Sequence, residues 1–262
     1  MCRTSSLCIV LALLAVGSLI VGSASAGSIA ITNASFDNPV VPIADGSNST
    51  VSSDGINMDY LGPWIPAGWT NPVNTGAAWY AVCNTNDTAF TNSTDTGPTS
   101  GVPTGGDGRN VFLYNSIDTG VAAEFQSTVL GGLTAGTYTL TAAVGCQPQL
   151  PQADGALILG TIDNSGNFVD LVRTPFTSSQ VPLGSFADVS ATVTVAAGNA
   201  HLGQALYARL AGVSTGGSQE ICFDNVRLDG PALGPITPEP GTLTILASGL
   251  IGLLCYAWRK RK

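Results

Sequence analysis

Lysine is absent from residues 27–240, and histidine occurs once in the whole chain, at His201. All 17 acidic residues fall in that stretch against the arginines Arg109, Arg173, Arg209 and Arg227, so its formal charge is 4 minus 17, or −13. A body this acidic repels phosphate backbones and stays soluble by self-repulsion, which sets nucleic acid aside as a partner. One histidine cannot build a histidine metal cluster and leaves a Ser-His-Asp triad a single possible centre. It sits in GNAHLGQ, a turn before a strand, where a solvated histidine is the simpler assignment. Cysteine is scarce too: Cys83, Cys146 and Cys222 belong to the body, with no CxxC spacing to suggest zinc or redox work. Three disulfide pairings are open; Cys83 with Cys146 is placed first because both lie in polar, turn-rich surroundings. Cys222, in EICFDNV, reads as a small hydrophobe on a strand face. Nowhere does the body show the apolar period of an amphipathic helix.

What the chain does have is marked at its two ends. LCIVLALLAVGSLIV (residues 7–21) is apolar almost throughout, and the small residues of SASA follow at 23–26. That is a secretory signal peptide over residues 1–26, to be cut by signal peptidase after Ala26. At the other end, Leu243 to Trp258 forms a second apolar run, closed by the basic cluster RKRK. Its helix is short for a bilayer, with Thr242 and the basic cluster placed near the interfaces. The four basic residues hold the C-terminus in the cytoplasm and leave the body outside the inner membrane.

Between the ends the period is two. In SFADVSATVTVAAG, Asp188, Ser190, Thr192 and Thr194 take one face, and Ala187, Val189, Ala191, Val193 and Val195 take the other. Similar runs lie at 110–115, 121–130, 137–145, 155–162, 167–172, 204–211 and 220–230, separated by turn formers such as GGLTAG, DNSGN and VSTGG. The pattern predicts an all-β body over 27–230, a mostly antiparallel β-sandwich, followed by a Pro/Gly linker at 231–241 and a membrane tail at 242–262. Residues 39–108 are rich in breakers and read as a long irregular region that holds Trp64, Trp69 and Trp79.

Candidate chemistry is sparse. Glu124 and Glu220 lie in or beside strands, and a carboxylate pair is what a glycan hydrolase needs, but neither is distinctive among so many acids. The glycines of TSGVPTGGDGRN precede no helix and make no phosphate loop. Trp64, Trp69, Trp79 and Tyr80 are the candidate ligand-binding residues: flat rings that stack on sugar faces while Asp, Asn and Gln satisfy the hydroxyls. The structural alternative is that the rings close one end of the sandwich core. Asp37 and Asp224 are candidate hard-cation ligands, brought together if the two ends of the body pair, although no twelve-residue calcium loop is present.

The tail resembles the PEP-CTERM sorting signal of bacterial exosortase systems. Pro238, Glu239 and Pro240 match its motif, 243–258 its apolar span and 259–262 its basic end. The resemblance implies transient anchoring in the inner membrane, handling by an exosortase-type processing protease, and a final place on the cell surface or in an exopolysaccharide matrix. More weakly, the body resembles galactose-binding-like jelly rolls through ITNASFDNP, FQSTVLGGLTAGTYTLTAAVG and CFDNVRLDG. That likeness implies a jelly-roll topology and a structural calcium held by Asp37 and Asp224. The expected protein is a non-enzymatic surface or matrix component that binds extracellular polysaccharide. A purely structural adhesion or assembly role and a secreted glycan hydrolase are the alternatives.

Overall fold

A computed structural model describes residues 27–36, 49–51, 57–61, 65–76, 78–84, 110–116, 118–146, 150–163, 165–181 and 183–236. The signal peptide, Asp37, Trp64, Arg109, Pro238 to Pro240 and the tail helix expected at 242–262 lie outside these residues. No helix among the described residues is long and apolar enough to cross a membrane.

The body is two antiparallel sheets. Its first strands are β1 (Gly27–Ile29), β2 (Ser49–Val51), β3 (Asn57–Leu61), β4 (Trp69–Asn74) and β5 (Ala78–Asn84). Next come β6 (Asn110–Ser116), β7 (Ala122–Ser127), β8 (Gly131–Gly132), β9 (Gly136–Gly145) and β10 (Asp154–Ile162). The last are β11 (Phe168–Phe176), β12 (Phe186–Val195), β13 (Ala205–Val213) and β14 (Gln219–Gly230). The larger sheet runs β12-β9-β14-β6-β5-β3-β2, with β1 on β14; the smaller runs β11-β10-β13-β7-β4, with β8 on β13.

From β6 onward the strands fall where the two-residue period places them. Alternation sends Phe112, Tyr114, Leu140, Val144, Ile221 and Phe223 of the larger sheet inward against Phe125, Leu157, Leu159, Leu206 and Leu210 of the smaller one, in one continuous core. Tyr114 is fully buried; its hydroxyl donates to the carbonyl of Val121 at 2.7 Å, and burial pushes the phenol above its ordinary value. Proline interrupts two strands, at Pro72 in β4 and Pro175 in β11, and both strands are sheet edges, where a missing N–H costs least.

Two expectations need correction. The stretch 39–108 is not irregular throughout, since β2 to β5 fall within it. Those strands are short and mixed with polar residues, so their alternation is masked by the breakers around them. Nor is there a Cys83–Cys146 disulfide: Cys146 and Cys222 both carry thiols, donating to Leu150 O at 3.5 Å and Glu220 Oε1 at 3.4 Å. Cys83 lies on β5 and Cys146 directly after β9, three strand steps apart in the larger sheet. At ~4.8 Å per step that is roughly 14 Å, twice the ~7 Å reach of a disulfide.

At one end of the core Phe112 is the centre of a ring chain, 4.5 Å from Phe125 and 5.4 Å from Phe36. Replacing it with alanine empties that centre, so F112A is expected to lose about 3–5 kcal/mol. Thermal unfolding should show a melting temperature lower by on the order of 10 °C. A fall of only a degree or two would mean the ring chain is not a core element.

Candidate functional site

Trp69 is only 5 % exposed, its ring tilted 46° to that of Phe36 at 5.5 Å, with its indole N–H directed to Asn33 O at 3.4 Å. Its ring closes the core and offers no face to a sugar. Tyr80 is half-buried and meets Phe125 edge-on at 5.4 Å. Trp79 contributes its backbone to β5, opposite Asn115; its side chain and Trp64 lie outside the described residues. Phe36 holds a positive φ of 56°, an unusual conformation for an aromatic residue, and is fully buried between Trp69 and Phe112.

The outer face of the smaller sheet carries a polar network that the sequence reading missed. Register sets Arg209 opposite Gln126 and Ala211 opposite Glu124. Arg209 is 7 % exposed: its Nε donates to Gln126 at 2.8 Å and its Nη1 to Glu124 at 2.7 Å. Its guanidinium lies 3.4 Å from the centroid of the Phe168 ring. Glycine at 160 makes room for that ring, since a Cβ there would come within 2.5 Å of it. The other oxygen of Glu124 accepts from Arg173 Nη2, and Arg173 Nε reaches Asp170, both at 2.7 Å. Partial burial opposes the charge on Arg173, but its bonds to Glu124 and Asp170 outweigh that and raise its pKa. The available signal was the rarity of arginine in the body, with three of the four on outward positions of strands.

The fold does not bring together Glu124 and Glu220, the two acids picked out on strands. Glu124 is clamped by two cations on the outer face of the smaller sheet. Glu220, opposite Asn115 and next to the inward Ile221, falls on the outer face of the larger sheet. A core about 10 Å thick separates the two sheets, so these carboxylates do not face each other across one glycosidic bond. His201 is part-buried in its turn; Nδ1 meets Gln204 Oε1 at 2.9 Å, and its backbone N–H donates to Asn199.

The larger sheet's outer face is of another kind. Along β9 and β12, Thr137 meets Thr194, Thr139 meets Thr192 and Thr141 meets Ser190, hydroxyl to hydroxyl at 3.0, 3.1 and 2.9 Å, all exposed. Beyond the last rung Arg227 pairs with Asp188 at 2.6 Å. Farther along β14, Asp224 is fully buried and accepts the Asn225 N–H at 2.7 Å. The two ends of the body do pair: β1 lies on β14, Gly27 opposite Gly230, and Val226 N–H donates to Ala34 O. Of the two candidate cation ligands only Asp224 lies among the described residues, and calcium takes about 6–8 oxygens. Among the described residues no group of three His, Cys, Asp or Glu side chains is placed to hold a metal.

Two antiparallel sheets around one core, with polar outer faces and joined ends, define an all-β sandwich of the jelly-roll class. The sequence profile of the HpiC1-like family, described as HpiC1 cyclase, matches residues 27–229, and the chain belongs to that family. A second profile, the PEP-CTERM protein-sorting motif, matches residues 237–262 and implies export and exosortase processing. Among solved structures, the Stig cyclase Fisc from Fischerella sp. TAU, in complex with (3Z)-3-(1-methyl-2-pyrrolidinylidene)-3H-indole, is 21 % identical. That match covers 80 % of this chain and 100 % of the other, with a TM-score of 0.57. An apo cyclase from Fischerella sp. is 22 % identical over 80 % of this chain and 98 % of its own, at 0.56. A carbohydrate-binding module of the beta-sandwich superfamily aligns over 62 % of this chain and 56 % of its own, at 16 % identity and a TM-score of 0.42. No curated protein matches the chain.

The Glu124 clamp makes an asymmetric prediction. E124Q strips the counter-charge from Arg209, whose side chain is 9 % exposed, and should cost about 3 kcal/mol in urea unfolding. D170N faces only Arg173, 42 % exposed, and should cost less than about 1 kcal/mol. Equal losses in the two variants would show that the buried half of the network has no special weight.

Proposed function

We propose that this chain is an exported, exosortase-sorted member of the cyclase-like sandwich family whose body serves on the cell surface or in the exopolysaccharide matrix, as a glycan-binding component. The carrying observation is the exposed hydroxyl ladder of β9 and β12, which sets hydroxyls and methyls side by side on a sheet face. Hydroxyls exchange partners with sugar hydroxyls at little cost, and threonine methyls cover the C–H faces of the rings. Burial of Trp69 removes one of the four aromatic candidates, and the hydroxyl face supports the reading in its stead. The sorting motif supports the destination.

Affinity electrophoresis of the protein through gels of bacterial exopolysaccharide tests the reading. Wild type should be retarded, and T139A/T141A/T192A, which removes three hydroxyls worth ~0.5–1.5 kcal/mol each, should bind at least about tenfold more weakly. Free migration of wild type in every polysaccharide, the host's own matrix included, would sink the binding claim.

Family membership favours a second reading, a catalyst that cyclises a small molecule. The relative solved with an indole compound suggests the probe. A ring closure that expels no group conserves mass, so incubation with an indole that carries an unsaturated open side chain should yield an isomer of unchanged mass and new retention time. Quantitative recovery of the starting material would count against this reading.

Calcium belongs to either reading as a structural ion between the chain's ends, with Asp224 and Asp37 among its ligands. An ion held at about 100 times its dissociation constant adds ~2.7 kcal/mol. Excess chelator should therefore lower the melting temperature by several degrees, and an unchanged value would rule out a tightly held ion.

A further inference from the structure

After β14 the chain is not released at once. Residues 231–236 cross one end of the sandwich and dock on β8 of the smaller sheet, where Gly132 and Gly234 exchange both backbone hydrogen bonds at 2.9 Å. Thr134 Oγ1 adds a bond to Ala232 O at 3.0 Å. Three glycines make room for this segment: a Cβ at Gly131 would come within 2.9 Å of Leu233, one at Gly136 within 2.9 Å of Pro231, and one at Gly132 would collide with the Pro235 carbonyl. The chain is thus tied to the body almost up to the sorting motif at 237–262. From Ile236 to Thr242, at the head of the apolar run, fully extended backbone covers roughly 20 Å.

That tether is shorter than the body. β9 runs ten residues from Gly136, at this corner, to Gly145, beside Cys146 and its bridge partner Leu183. At ~3.4 Å per residue the Leu183 end lies about 30 Å from the corner. With 243–258 in a bilayer, the corner stays within reach of the headgroups.

Its surface suits that place. Two of the three large apolar side chains exposed among the described residues are here, Val129 and Ile236, and Leu183 at the far end is the third. Antiparallel pairing of Gly132 with Gly234 sets Ile236 level with Leu130, next to Val129. The surrounding segments 128–137, 196–205 and 230–236 contain no aspartate, glutamate, lysine or arginine. Asp163 in the β10–β11 turn and Asp229 near the end of β14 stand at the rim, and Glu239 lies in the tether. Anionic lipid repels a body that carries −13, so a neutral, partly apolar corner is where a bilayer can approach it.

We infer that this corner is a membrane seat: while the tail is inserted, Val129, Ile236 and the neutral turns rest on the phospholipid headgroups, and the Leu183 end points away. A short tether gives an effective concentration in the millimolar range, so a contact too weak to hold the body alone is populated until the tail is cut. Cutting at the motif then frees the body. The inference rests on reading 243–258 as a membrane span and is independent of the glycan and cyclase readings.

The experiment uses the exported full chain, reconstituted in vesicles of phosphatidylethanolamine and phosphatidylglycerol. A fluorescent amino acid is placed at Ala135, beside the seat and exposed, or in a second protein at Leu183. Lipids with a headgroup nitroxide should quench most of the emission at Ala135 and little at Leu183. V129E/I236E changes two exposed positions, sets like charge against the anionic lipid, and should restore the emission at Ala135 with unchanged circular dichroism; L183E should not. Equal quenching at both positions would mean a body tumbling on its tether. Quenching at Ala135 that V129E/I236E leaves intact would mean proximity without contact, and either result overturns the seat. Flotation of the same samples separates these results from failure of the tail: protein that does not float with the vesicles refutes the membrane span, and the seat with it.

Discussion

The antiparallel pairing of β14 is the interaction on which the other features depend. This strand takes β9 along one edge and both β6 and β1 along the other, with a register shift between Asp224 and Arg227 where Asn225 adopts a φ of 47°. The shift lets the opening segment dock, Val226 donating to Ala34, and that segment delivers Phe36 to the ring chain. Through β9 the same strand fixes the height of the hydroxyl ladder, and through Arg227 it quiets the charge on β12. Disturbing β14 would therefore disturb the outer face of the molecule's larger sheet, as well as its aromatic end.

How far the sequence spoke depended on the range of the interaction. SFADVSATVTV alternates without interruption, and β12 emerged at its expected bounds because alternation is a local property. The two ends of the body were expected to pair, and they do. The segment holding β2 to β5 was opaque because its strands are brief and interleaved with proline, glycine and asparagine. Trp69 next to turn residues fits an exposed platform and a core plug equally well. What decides is its neighbour Phe36, distant in the chain and held in a conformation that no propensity scale favours.

The polar sites were legible only as ingredients. Arg209 could be assigned to an outward position in QALYARLA, but its acceptor Glu124 is 85 residues away and becomes adjacent only through the order of β13 and β7. The cysteines failed for the same reason: their surroundings suggested a pair, while strand order separates β5 from β9 by two intervening strands. The sorting tail is the opposite case, a linear signal read by its order of residues alone, and it was recognisable before any fold was known.

The three hydroxyl rungs carry a further consequence. A surface held by neutral pairs has nothing for dissolved ions to screen and nothing to titrate between acid and alkali. The carboxylate-rich remainder of the body will feel every change in brine or acidity beyond the membrane. The three rungs themselves present the same chemistry in fresh water, salt water and a drying film, while the Arg227–Asp188 pair beside them responds to both salt and acid.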